Sequence, residues 1–152
     1  MSRDVLLLIH PTLGAFGIFA SLWVLVEVIG LDPAGLRRTR LASGLMLATW
    51  LGGGLWDAAY YPTDQKILDR GNWSFAGNTA MEFKEHLFAL ILMLALYLPI
   101  VVFRGNLPVD RESRLMAAVV SGLIVLSGLA MEGAGAILGL SVKVALVQGV
   151  GG

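Results

Sequence analysis

His10 and His86 are the chain's two histidines, and each stands near the start of a long apolar segment. If the chain crosses a membrane four times, the first and third crossings run in the same direction. Both imidazoles then reach a similar depth near one face. At about 1.5 Å per helical residue, each ring lies roughly one and a half turns into its segment. Two rings at one level suit a shared ligand, either a metal ion or the iron of a flat cofactor.

Other polar groups gather at the same end. An ionisable group inside a hydrocarbon span costs about 2.5 to 3.5 kcal/mol on insertion scales and points by default to function. The second apolar run reaches the histidine level at Trp56 and Asp57, and Glu132 lies about 27 Å along the fourth from Arg114. The third carries Met81-Glu82-Phe83-Lys84-Glu85-His86. Glu82 and His86 share a helical face, whereas Glu85 is turned about 100° from His86. The plain reading of Glu82, Glu85 and Lys84 is an interfacial helix start, with acids near the positive end of the dipole and a snorkelling lysine. Glu27 sits at the other end, near an arginine-rich link.

Composition explains why these groups matter. The 152 residues are 57% hydrophobic and 14% charged, with a mean hydropathy of +0.77; soluble domains carry roughly 25% charged residues. Four windows are long enough to span about 30 Å of hydrocarbon: Val5 to Gly30, Leu41 to Tyr61, Ala80 to Phe103 and Leu115 to about Gly139. These predict an all-α integral membrane protein, a single domain over residues 1–152 folded as an up-down-up-down four-helix bundle. The first run is too long for the apolar core of a cleaved signal peptide and reads as a retained helix. The segment Pro62 to Thr79 reads as the one sizeable loop, with Trp73 and Phe75 placed to anchor it or to cover a site beneath. Arginines cluster in Leu31 to Arg40 and Arg104 to Arg114, which the positive-inside rule places in the cytoplasm. Both termini are then expected on the periplasmic side of a bacterial inner membrane.

The chain has no cysteine, which excludes disulfides, thiolate-held metals and covalent attachment of a c-type haem. A net charge of zero gives no sign of nucleic-acid binding. Abundant glycine suits close helix packing in lipid, and Gly14, Gly17 and the run Gly52 to Gly54, with Gly53 at its centre, would also leave room for a flat cofactor.

Neutral imidazoles on both sides of a porphyrin give six-coordinate iron suited to electron transfer. His10-Pro11 and Lys84-Glu85-His86, in their helical contexts, resemble the small four-helix membrane b-type cytochromes. Many members of that group hold two haems with four histidines; this chain departs from the pattern and can ligate one haem b, through His10 and His86, with Lys84 near the propionates and Trp56 against the ring. The resemblance further implies an electron-transfer subunit rather than a stand-alone enzyme, embedded in lipid and exchanging electrons with a periplasmic redox protein or neighbouring membrane subunits. Two other readings stand beside it. His10, Asp57, Glu85, His86 and Glu132 form a mixed imidazole and carboxylate set for nonhaem iron, copper or zinc. Alternatively the chain is a cofactor-free accessory subunit whose polar groups form a buried network.

Overall fold

The computed structural model describes the backbone of residues 3–30, 35–107 and 109–147, with side chains from residue 9 onward except 35–37, 40, 43, 56, 57, 61, 63, 64 and 68. It is all-helical, with α1 (Arg3–Gly30), α2 (Gly35–Leu68), α3 (Ser74–Arg104) and α4 (Arg111–Val147) and no strand among the described residues. Three stretches are long and apolar enough to cross a membrane: Ile9–Gly30 of α1, all of α3 and all of α4. Large apolar side chains face outward along their length, among them Phe19 at 67% exposure, Met93 at 69% and Leu126 at 66%. An apolar surface this extensive is stable against lipid and not against water. The chain is a membrane protein.

The helices pack in a ring. α1 touches α2 and α4, α3 touches the same two, and α1 and α3 lie across the bundle from one another without close backbone contact. Contacts between α1 and α2 pair His10 with Thr49, Gly17 with Met46 and Glu27 with Arg38, so the two helices run in opposite senses. Gly14 with Glu132 and Ile18 with Gly128 show the same for α1 and α4. The core is a ladder of Val24, Val28, Ala42, Met46, Ile91, Ala95, Leu98, Val120 and Ile124. Small residues let the backbones approach. A Cβ on Gly128 would stand 2.7 Å from Ile18 Cγ1, and one on Gly17 would stand 3.0 Å from Met46 Cε.

The helices are longer than their apolar windows. α2 continues through Pro62 to Leu68, and α3 begins at Ser74 rather than Ala80. The expected loop from Pro62 to Thr79 is therefore mostly helix, leaving a connection of residues 69–73. Proline removes one donor and one intrahelical bond, a loss the flanking turns of α2 absorb. The turn is tied by Asp69 N–H to the Gln65 carbonyl at 2.9 Å and by Asn78 Nδ2 to Asp69 Oδ1 at 3.2 Å. Trp73 and Phe75 are exposed and line neither chamber described below, so they cover no site there.

At the far end Glu27 is buried at 5% exposure. It forms an ion pair with Arg38, accepts Trp23 Nε1–H at 2.6 Å, and the Arg38 guanidinium lies 4.8 Å from the Trp23 ring centroid. The Arg38 side chain is 36% exposed and that of Glu27 4%, so removing Arg38 leaves the buried charge uncompensated at the low end of the cost for a buried pair, about 3 kcal/mol. Arg38→Met is expected to destabilise the bundle by about that amount, and Glu27→Leu combined with Arg38→Met by much less. Thermal unfolding of the two variants in detergent reads the difference.

The α3 to α4 turn has its own cap. A Cβ on Gly105 would meet the Val101 carbonyl oxygen at 2.9 Å, so the chain passes there with glycine. Asp110 then caps α4, its Oδ1 accepting the Glu112 N–H at 3.0 Å and its Oδ2 accepting the Ser113 hydroxyl. The Ser113 hydroxyl bond, joined by backbone N–H bonds, holds the exposed Asp110 carboxyl below its ordinary range. A depressed carboxyl stabilises the fold above its unfolded pKa, and that contribution is lost as pH falls through its folded value. First-turn amides of α4 are expected to lose protection, measured against their intrinsic exchange rates, as pH falls, and Asp110→Ala to show low protection at every pH. Hydrogen exchange at Glu112 to Arg114 measures both.

Candidate functional site

Helix rotation decides which polar groups meet. In α1 a small and apolar stripe runs Gly14, Gly17, Ser21, Val24 and Val28, all buried. His10 lies four residues before Gly14 on the same face. In α3 the buried stripe includes Gly77, Met81, Ile91, Ala95, Leu98 and Val102, and at helical spacing it takes in Lys84 and Phe88 between Met81 and Ile91. His86 stands about 200° around the helix from both Lys84 and Phe88.

The result is an interior chamber of about 520 Å³ between the four helices, lined by His10, Lys84, Glu132, Trp50, Phe88 and Met131 among others. A smaller one of about 140 Å³ adjoins it and shares His10, Lys84, Phe88 and Met131, adding Gly53, Gly54 and Glu85. Chambers of the larger size, mostly apolar with a few convergent polar groups, are the usual form of a small-molecule site.

His10 is held from behind. Its Nδ1 lies 3.0 Å from the Thr49 carbonyl oxygen. A carbonyl only accepts, so Nδ1 carries the proton, and in the neutral ring Nε2 keeps its lone pair. The ring lies against Gly53, where a Cβ would stand 2.8 Å from Cε1 and 3.3 Å from Nε2. Across the chamber the Glu132 carboxylate occupies the space beside Gly14 that any side chain there would fill. The Lys84 ammonium acts electrostatically on both His10 and Glu132. Trp50 and Phe88 stack at 4.7 Å between centroids and 20° between planes. Two buried polar atoms on the same wall, Thr49 Oγ1 and Trp50 Nε1, have no partner among the described residues.

Of the residues singled out from the sequence, His10, Lys84, Glu132, Gly14 and, in the smaller chamber, Gly53 and Glu85 come together here. His86 does not. It is exposed on the opposite face of α3, with its Nδ1–H donated to the Glu82 carbonyl at 2.8 Å on its own helix. The two histidines expected to share one ligand are thus not brought together here: His10 lines the chamber and His86 faces away from it. Gly14 and Gly53 make room for Glu132 and His10, and Gly17 for Met46, as close helix packing requires. The side chains of Trp56 and Asp57 lie outside the described residues. No group of three His, Cys, Asp or Glu side chains able to hold a metal occurs among the described residues.

Thr49 and Trp50 were missed from the sequence because neither is ionisable; the signal available was a tryptophan and a hydroxyl side by side within an apolar run. No family model, curated protein or solved structure matches the chain.

Proposed function

We propose that the chain crosses the membrane four times as an up-down-up-down bundle, with α2 as the fourth crossing, and holds one b-type haem in the chamber beside His10. The observation that carries this reading is the anchoring of His10. Metal-ligating histidines donate their second ring N–H to a carbonyl or carboxylate, which fixes the tautomer and aims the free nitrogen. His10 has that arrangement through Thr49.

The residues fit a haem held by one histidine and do not fit a haem held by two, because His86 faces away. They suit a porphyrin better than a bare divalent ion, since the Lys84 ammonium beside His10 and Glu132 opposes an unshielded cation. A haem, when bound, supplies one-electron chemistry. The chain's own residues do the rest: His10 Nε2 binds, Gly53 gives the imidazole its place, Lys84 meets acidic substituents, and Trp50 and Phe88 form an aromatic wall that excludes water. In this reading the protein passes electrons to or from a periplasmic redox protein or a neighbouring membrane subunit, with the chamber toward the outer face of a bacterial inner membrane and both termini on that side.

The test is titration of the detergent-purified protein with haemin, followed by a reduced-minus-oxidised visible spectrum and iron analysis on the same sample. Saturation at about one haem per chain with sharp b-type bands is expected. Failure to saturate at micromolar haemin overturns the reading.

A further inference from the structure

The residues lining the larger chamber are buried or half-buried with three exceptions. Pro11 on α1 and Ala136 and Gly139 on α4 are exposed, and all three lie at one seam. Lower down, that seam is shut, by Ile18 against Gly128 and by Glu132 beside Gly14. Above Glu132 it is not: a Cβ on Gly135 or Gly139 would find no neighbour within 4 Å among the described residues. The other seams are filled at the level of the larger chamber, while the smaller one reaches exposed Glu85 across from Gly53 and Gly54. His10 lies against Gly53 between α1 and α2, Trp50 stacks on Phe88 between α2 and α3, and Met81 packs on Leu138 between α3 and α4. Outward of the gap α4 presents Leu140, at 55% exposure, beside Ala136. The gap therefore opens toward hydrocarbon.

We propose that the upper α1–α4 seam is a lateral portal, and that the chamber receives a lipid-dissolved amphiphile from the bilayer with its polar end turned toward His10, Lys84 and Glu132. The inference rests on reading the chamber as a ligand site, and haem b is one member of the class. Two features favour a ligand over plain loose packing. Three polar side chains, His10, Lys84 and Glu132, converge in an otherwise mostly apolar chamber, the usual lining of a small-molecule site. The gap also joins an apolar mouth to a polar interior, the order in which an amphiphile leaving lipid would meet them.

The absence of cysteine makes the test direct. Met131→Cys places a single thiol on the chamber wall of the full chain in lipid vesicles. A neutral, bilayer-soluble maleimide is expected to label it, and a charged, water-soluble one to label it at least about tenfold more slowly. Adding Gly139→Trp or, separately, Ala136→Phe at the mouth is expected to slow the bilayer-soluble reagent at least about tenfold, while Ile137→Trp, which faces lipid away from the mouth, leaves the rate unchanged. Helical content by circular dichroism identifies any variant that fails to fold, and either mouth variant suffices. Equal labelling with and without a blocked mouth, or preference for the water-soluble reagent, overturns the portal. Haem uptake from vesicles is scored separately: if the unmodified chain takes up no haem the haem reading falls while the thiol result still decides the portal.

Discussion

His10→Ala is expected to weaken haem binding by at least about a hundredfold and to remove the b-type spectrum, whereas His86→Ala binds haem as the unmodified chain does. Both substitutions remove one imidazole from a long apolar helix, His10 seven residues after the start of α1 and His86 twelve after the start of α3. The asymmetry comes from rotation. His10 stands on the chamber wall with Nδ1–H committed to Thr49, and losing a group that orients a metal ligand already costs about 10- to 100-fold in affinity; losing the ligand costs more. His86 sits outside the chamber, its Nδ1–H turned back onto the Glu82 carbonyl. Haemin titration of the two variants, side by side, decides the matter. Equal loss in both would restore the two-histidine ligand set and require α3 to turn by about half a revolution from the rotation described here.

Gly53→Ala is the second large effect, and its sign runs against helix propensity. Alanine in place of an unstrained helical glycine normally gains about 0.4 to 1 kcal/mol. At position 53 the new methyl would stand 2.8 Å from His10 Cε1, closer than carbon atoms pack, and the imidazole is tethered by its bond to Thr49. Either the ring swings off Thr49 or α1 and α2 move apart. Haem affinity is expected to fall about 10- to 100-fold, the effect of a lost orienting contact, with no gain in thermal stability. Gly122→Ala is the control. A Cβ there meets nothing within 4 Å, and the variant is expected to keep its affinity and melt slightly higher. Loss of affinity at both glycines would trace the effect to helix composition rather than to the His10 contact.

Much of the architecture is legible in composition. Long apolar runs with few charges cannot satisfy their backbone groups in lipid except as helices, so the all-helical membrane fold follows from residue types. Glu27 near an arginine-rich link finds Arg38. Helix ends are less legible, because apolar windows stop at the first polar residue while hydrogen-bonded helix does not. Tyr60-Tyr61-Pro62 reads as a terminus, yet α2 runs six residues past Pro62 to Leu68.

The gathering of His10, Lys84 and Glu132 follows the same division. Residue type and depth placed them at one end of the bundle, since ionisable groups in a span demand company. Which of them face inward depends on rotation, and rotation is hard to read in this chain because lipid is as apolar as a core: in α3 the buried Ile91 and Leu98 and the outward Met93 and Ile100 are chemically alike. What discriminates is size. Gly14 and Gly17 after His10, and Gly77 and Ala80 before Lys84, mark the sides where helices approach closely. Packing of Gly14 and Gly17 against Glu132 and Met46 sets the rotation of α1, and α3 turns Lys84 toward the chamber and His86 away from it. Helix type and membrane location are thus properties of the residues taken in sequence, whereas the shared chamber is a property of four helices in contact. Interhelical fit sets each helix's rotation, and that fit depends on side chains contributed by other segments of the chain.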